Sequence, residues 1–231
     1  MKNGPFIFVG IFFAMAASWL AFALAPQLQI GSLQQGTNII TSDLYPNNRP
    51  GLAKQGAEIY RANGCVACHT QQIRPGALGY DLDRGWGRRM SVAQDYIFDQ
   101  PVMLGSQRIG PDLANIGARQ DARTMLLHLY NPRVTMPGSI MPPYRFLFEK
   151  RKISRAPSLD ALNLPEAFAP EKNYEVVPRP EARALVAYLS SLRPDAVLYE
   201  TPMPQPKLKV LTTNAPAATA PVTATNSPAK K

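Results

Sequence analysis

Cys65-Val66-Ala67-Cys68-His69 is the stretch that decides how this chain folds. It holds both cysteines of the chain and one of its two histidines. Two thiols three apart, followed at once by a histidine, form the attachment signature of a c-type haem. Residues three apart at the start of a helix share a face, so both sulfurs can form thioethers with the two vinyl groups of one porphyrin. The next residue then projects under the ring, which makes His69 the expected proximal iron ligand. One covalently bound haem c is therefore the expected cofactor, and a large apolar ring supplies the core of its domain.

Other chemistries fit less well. A redox dithiol belongs in a βαβ setting, and no such pattern surrounds Cys65 and Cys68. Half a zinc site needs two more ligands, and His128 is the one other histidine. Two cysteines cannot staple a disulfide scaffold. For the sixth iron ligand the candidates are Met103, Met125, Met136, Met141 and His128, or an open position. Met141 is expected, because the proline-rich run Met136-Pro137-Gly138-Ser139-Ile140-Met141-Pro142-Pro143 is rigid enough to press sulfur onto iron. Met136 is read as filling space beside the ring, and His128 as a packed or hydrogen-bonded side chain. His/Met ligation raises the reduction potential and closes the iron to O₂.

Outward from the motif the chain is rich in punctuation, with 23 prolines in 231 residues, about twice the usual ~5%. Each proline removes a backbone donor and fixes φ, so short helices joined by loops are expected and no strand is legible. Leu52, Gly56, Ile59, Tyr60 and Asn63 mark a first helix stopped by Gly64. Ser91-Val92-Ala93-Gln94 has capping-box spacing and predicts a second, through Phe98. Asp121 caps a third, carrying Ala122, Met125, Leu126 and Leu129, and Pro132 ends it. Pro180 opens a fourth, with Ala182, Leu185, Val186, Leu189 and Leu192 before Pro194.

The two ends differ from this middle. Residues 5–25 carry no charge and are long enough, at 1.5 Å per residue, for the ~30 Å hydrocarbon core. A cleaved secretory signal is the rival, since Ala23-Leu24-Ala25 resembles a cleavage site, but the apolar run is too long and Pro26 follows the cut. A retained anchor with a cytoplasmic amino terminus is expected, Lys2 being the one charge before it. From Thr201 onward proline, alanine and threonine dominate and acids are absent, which predicts a disordered tail. The expected division is 1–29 transmembrane anchor, 30–49 linker, 50–200 monohaem domain and 201–231 flexible tail. The net charge of +9 comes from 25 basic against 16 acidic residues; these are scattered, so nucleic acid is not the expected partner, whereas the lipid bilayer is.

The run from Gly64 through Thr70-Gln71-Gln72-Ile73-Arg74-Pro75 resembles the haem segment of subunit II of cbb3-type cytochrome c oxidases, the membrane-anchored monohaem cytochrome c subunit. The likeness continues through Trp86-Gly87, Ser91, Asp95-Tyr96, Asp99, the run Leu104 to Leu113, Gly117, Arg119, His128, Asn131-Pro132-Arg133 and Ser139 to Pro142. The haem pentad is common to all c-type cytochromes; Thr-Gln-x-Ile-Arg-Pro after it is far more selective. The resemblance implies a mainly α, class I cytochrome c-like domain whose first and last helices cross at close range, with Gly56, Tyr60 and Tyr188 at the crossing. It implies that the Pro111 carbonyl accepts the Nδ1–H of His69, and it makes Arg74 and Arg108 candidate partners of the haem propionates. It further implies an electron-transfer subunit, not an enzyme on its own. That subunit receives single electrons from a dihaem or soluble cytochrome c and passes them to an integral-membrane haem–copper catalytic subunit. The implied location is the bacterial inner membrane, single-pass, with the haem domain on the periplasmic side.

Two stretches depart from the family pattern: the tail, and residues 148–179, which are basic and then mixed and are expected as a solvated charged loop. Lys150, Arg151, Lys152 and Arg155 are its candidate docking cations. Rival functions are the monohaem subunit of a nitric oxide reductase, a stand-alone anchored electron shuttle, a haem sensor or peroxidase with an open iron, and a haem-free scaffold.

Overall fold

The computed structural model describes residues 3–49 and 51–203; from residue 204 the expected tail lies outside the described residues. The chain opens with helix α1, Gly4–Ile30, 27 residues long, whose most apolar stretch has a mean hydropathy of 2.3 and is not buried. It is long and apolar enough to cross a bilayer. Pro26 has no N–H to give the helix, and the turn before it, Leu20–Leu24, widens to π geometry. Such a widening re-registers the ladder where a proline would break it.

Two helices organise the rest. α2 (Leu52–Ala62) and α6 (Pro180–Ser191) cross in contact, and Gly56 permits the approach. A Cβ there would lie 1.9 Å from the Ala184 carbonyl oxygen and 2.7 Å from the Tyr188 Cβ, so no other residue fits. One turn later Tyr60 and Tyr188 pack ring to ring at 5.4 Å. Three short helices complete the body. α3 (Ile116–Arg119) brings Gly117 against the Ser190 carbonyl on a second side of α6. α4 (Ala122–Tyr130) is capped by Asp121, whose carboxylate accepts the Arg123 and Thr124 N–H groups. Pro132 ends α4 and, because a first helical residue needs no N–H, opens α5 (Pro132–Thr135), capped by Asn131.

The expected helix from Ser91 to Phe98 is one 3₁₀ turn, Ala93–Tyr96. The Ser91 hydroxyl accepts the Ile73 N–H at 2.9 Å and so is not available as a cap. Asp95 takes that place, accepting the Val92 N–H at 3.0 Å. Its other role is to pair with Arg89, which is 2% exposed. The Arg89 fork reaches both Asp95 oxygens, at 2.6 and 3.1 Å, the Ala196 carbonyl at 2.7 Å and the Met90 carbonyl at 2.9 Å.

Strands do exist. β1 (Gly36–Thr37) pairs antiparallel with β2 (Leu44–Tyr45), and β3 (Phe148–Lys152) pairs antiparallel with β4 (Tyr174–Pro178) from Phe148↔Pro178 to Lys152↔Tyr174. Residues 148–179 are thus a hairpin with an excursion, not a loop. The signal of alternation is missing because β3 is exposed after Phe148 while β4 is buried from Glu175 to Pro178. Two of its four candidate docking cations are engaged internally: Lys150 with Glu171 at 2.5 Å and Arg151 with the buried Glu175 at 2.7 Å.

The segment between α1 and α2 lies along the body. The Ile39 N–H donates to the Val197 carbonyl at 2.9 Å, while the Gln35 amide closes on the Pro46 carbonyl of the same segment at 2.8 Å. Arg89 stacks over the Tyr45 ring at 5.5 Å, and Arg49 forms an ion pair with Asp99. At the other end Thr201, 1% exposed, bridges to Leu198.

Candidate haem site

Asn63 closes α2 with its side-chain amide on the Ile59 carbonyl at 2.8 Å, and Gly64 turns the chain at φ +67°. A single 3₁₀ turn follows, Cys65–Ala67. Side chains three apart eclipse in such a turn, which puts the two thiols on one side. Both are free; Cys65 is buried and Cys68 half-buried. Burial pushes the Cys65 thiol up to about 11, with the Cys68 sulfur adding to the rise. The Cys65 carbonyl accepts the N–H of Cys68 at 3.2 Å and of His69 at 3.0 Å, which fixes where the histidine begins.

The His69 ring is held from two directions. Its Nδ1 lies 2.8 Å from the Pro111 carbonyl oxygen. A carbonyl only accepts, so Nδ1 carries a proton, which in the neutral ring leaves the lone pair on Nε2; that nitrogen has no protein partner among the described residues. Gly110 lies against the imidazole. A Cβ at Gly110 would sit 2.2 Å from His69 Cε1. Gly105, at φ +70°, passes equally close to the His69 carbonyl, 2.4 Å from where its Cβ would be.

The residues after His69 are locked to the segment 104–114. The Gly110 N–H donates to the Cys68 carbonyl at 3.0 Å, Leu113 to Thr70 at 2.8 Å, and Gln71 to Leu104 at 2.9 Å. The Thr70 hydroxyl and the Gln72 N–H donate to the buried Asp112 carboxylate at 2.5 and 2.8 Å. Gln71 receives the Tyr188 hydroxyl at 3.0 Å and its carbonyl receives Tyr96 at 2.7 Å, so α6 reaches the site through Gln71. Ile73, 1% exposed, fits against Gly87, where a Cβ would approach to 2.6 Å. Each residue of Thr70-Gln71-Gln72-Ile73 thus has a specific partner.

The arginines separate. Arg108 donates to Thr70 Oγ1 at 2.8 Å, to both Asp81 oxygens at 2.6 and 2.8 Å and to the Gln72 carbonyl at 2.7 Å. Arg74 gives its backbone N–H to Asp81 at 2.7 Å, and its guanidinium has no hydrogen-bond partner among the described residues. Met141 is half-buried and packs, with Val66, Leu113, Tyr130 and Tyr144, against the core cluster that contains Cys65. Met136 is 60% exposed, whereas Met103 and Met125 are buried. His128 shares a 2.5 Å hydrogen bond with Thr135. Burial, and then the proximity of His69, hold its pKa below the ordinary histidine value.

This donor set suits a porphyrin: two free thiols on one side of a turn, an imidazole with its Nδ1 fixed and Nε2 open, and an apolar wall. Ile109 and Ile140 leave 56% and 76% of their surface open.

A family model for the mono-haem subunit of cytochrome c oxidase (FixO) matches residues 2–162. The chain belongs to this family. No curated protein matches the chain. Membership in the mono-haem family implies one haem, a place in electron transport and a catalytic subunit as partner, and the apolar α1 agrees with attachment to a membrane. The match takes in α1, the Cys65–His69 turn and Met141, and it stops inside the hairpin excursion.

Sequence reasoning overlooked Asp112, Asp81 and Gly110 as parts of the site. The adjacency of Gly110 and Asp112 to Pro111 was the available signal; for Asp81 the sequence offers none.

Proposed function

We propose that this chain is a membrane-anchored c-type cytochrome that passes single electrons to the haem–copper catalytic subunit of a cbb3-type oxidase. The arrangement at His69 carries the reading: a histidine with Nδ1 pinned by the Pro111 carbonyl at 2.8 Å, directly after two free thiols, in a chain of the mono-haem oxidase family. Cys65 and Cys68 hold the haem through thioethers, and His69 and Met141 are its iron ligands. When bound, the haem supplies a one-electron change between ferric and ferrous iron. The protein's own contribution is to fix the imidazole, shield it from water and keep the site beside its acceptor. The Pro111 hydrogen bond makes His69 a more basic ligand. Arg74 has its guanidinium available for a propionate, while Arg108 has one N–H left beyond Asp81, Thr70 and Gln72.

The crossing of α2 and α6 at Gly56 supports a class I cytochrome c domain. α1 is the anchor, lodged in the bacterial inner membrane with the haem domain on the periplasmic side, where a dihaem or soluble cytochrome c is the donor. Anchoring raises the effective concentration of the haem domain beside the catalytic subunit.

The full-length protein purified from its native membrane tests this. Mass spectrometry shows both thiols carrying one haem, the reduced spectrum is low-spin, carbon monoxide does not bind, and a copper-containing subunit that reduces O₂ co-purifies. Met141→Ala lowers the potential and admits carbon monoxide, whereas Met136→Ala changes neither. Unmodified thiols, or ready carbon monoxide binding by the wild type, would overturn the proposal; swapped outcomes for the two methionines would overturn the ligand assignment.

A further inference from the structure

Two acids and one cation are buried together beside His69. Asp112 is fully buried and Asp81 is 1% exposed, and the Arg108 side chain between them is 15% exposed. Asp112 Oδ2 accepts the Thr70 hydroxyl and the Gln72 N–H, and Arg108 stands 3.5 Å from the same oxygen. Oδ1 accepts the Ala114 N–H at 2.8 Å. Donors thus converge on both oxygens of Asp112, an arrangement that suits a carboxylate. Asp81 likewise receives Arg108 twice and the Arg74 N–H. Arg119, which donates to the Asp112 main-chain carbonyl, and Arg74, beside Asp81, also act on the two carboxylates, so Asp112 is a buried anion set among guanidinium groups, out of water.

Its place in the chain connects it to iron chemistry. Thr70 follows His69, Asp112 follows Pro111, and the Thr70–Asp112 bond therefore staples the ligand's segment to its acceptor's segment. We propose that Asp112, balanced by Arg108, is a positioning residue that holds down the reduction potential of the haem carried by His69. It acts through its charge and through the His69–Pro111 hydrogen bond. Ferric haem carries one more positive charge than ferrous haem, and a nearby buried anion favours it where the dielectric constant is low. A firm acceptor at Nδ1 works in the same direction by making the imidazole more basic. This proposal rests on the haem-binding reading above.

The test is a redox titration of the full-length protein in detergent, after mass spectrometry has established one thioether-bound haem per chain. Asp112→Asn shifts the potential upward and Arg108→Gln shifts it downward, with the low-spin spectrum kept in both. Arg108→Lys, which keeps the charge, stays near wild type. Thr70→Val keeps the carboxylate and loosens the staple, so it gives a smaller upward shift and moves the His69 Nδ1 proton resonance. That variant and the Arg108 pair carry the test should Asp112→Asn fail to accumulate. A purely structural role would open the haem to water and move Asp112→Asn and Arg108→Gln in the same direction. That result, or no shift in either, overturns the proposal. A wild-type chain without thioether-bound haem instead removes the haem reading itself, and this proposal with it.

Discussion

At His69 each bond has a separate origin in the sequence. The two thiols and the imidazole come from five consecutive residues, so their chemistry is legible at sight. The groups that hold them come from far along the chain. The Pro111 carbonyl was expected only through the family resemblance, and Asp112 reaches Gln72 across 40 positions. Asp81 shows the consequence for stability. Burial works to raise its carboxyl, but the Arg108 guanidinium and the Arg74 amide outweigh that and hold its pKa below the ordinary aspartate value. The folded state thus binds fewer protons at this site than the unfolded chain. Its stabilising effect is complete above the ordinary aspartate pKa of ~3.9 and is lost as the pH falls through the lower, folded value. Urea midpoints measured from pH 7 down to pH 2 should decline over that acid window. Asp81→Asn should be less stable at pH 7 and show a flatter acid limb. An unchanged acid limb would mean that the Asp81–Arg108 pair contributes nothing to the linkage.

Among the elements, those with a helical period and a stop signal were legible: α2, α4 and α6 lie where Gly64, Asp121, Pro132 and Pro180 place them. The failures share a physical cause, which is that tertiary partners claimed residues the local pattern had assigned elsewhere. Ser91 serves Ile73 instead of a helix, and the hairpin β3–β4 takes its pairing from Leu147 and Phe148 entering the core, not from any alternation of its own. Gly56 was readable as a close-approach residue, and the contact is backbone against backbone. Because the Ala184 carbonyl cannot swing aside as a side-chain tip would, Gly56→Ala must push α2 and α6 apart. The loss should lie toward the upper end of the ~1–3 kcal/mol usual for overpacking. Chemical denaturation of the haem-loaded protein checks it, with the m-value unchanged. A loss below ~0.5 kcal/mol would show that the crossing has slack.

Over the whole molecule, the membrane helix and the haem body are joined more closely than a linker spanning residues 30–49 implies. α1 ends at Ile30, and by Gly36, which pairs with Tyr45 of the same segment, the chain already lies against Leu198, 3.3 Å from where a Cβ at Gly36 would be. From there Ile39, Tyr45 and Arg49 contact the body through Val197, Arg89 and Asp99. Removing this strap would leave Asp99 without its cation and Arg89 without the Tyr45 ring, in half-buried or buried surroundings. Stripping one partner from a buried pair costs ~3–5 kcal/mol, and the partial exposure of Arg49 and Asp99 places this loss lower, at ~2–4 kcal/mol. For a body of this size each kcal/mol moves the melting temperature by roughly 2–4 °C. A haem-loaded chain beginning at Leu33 should therefore melt where the full-length chain's haem domain does, and one beginning at Gly51 should melt roughly 10 °C lower. Equal melting of the two truncated chains would make the strap a passive tether. A large difference makes it part of the fold, and the haem is then held at a fixed reach from the membrane surface instead of swinging on a free linker.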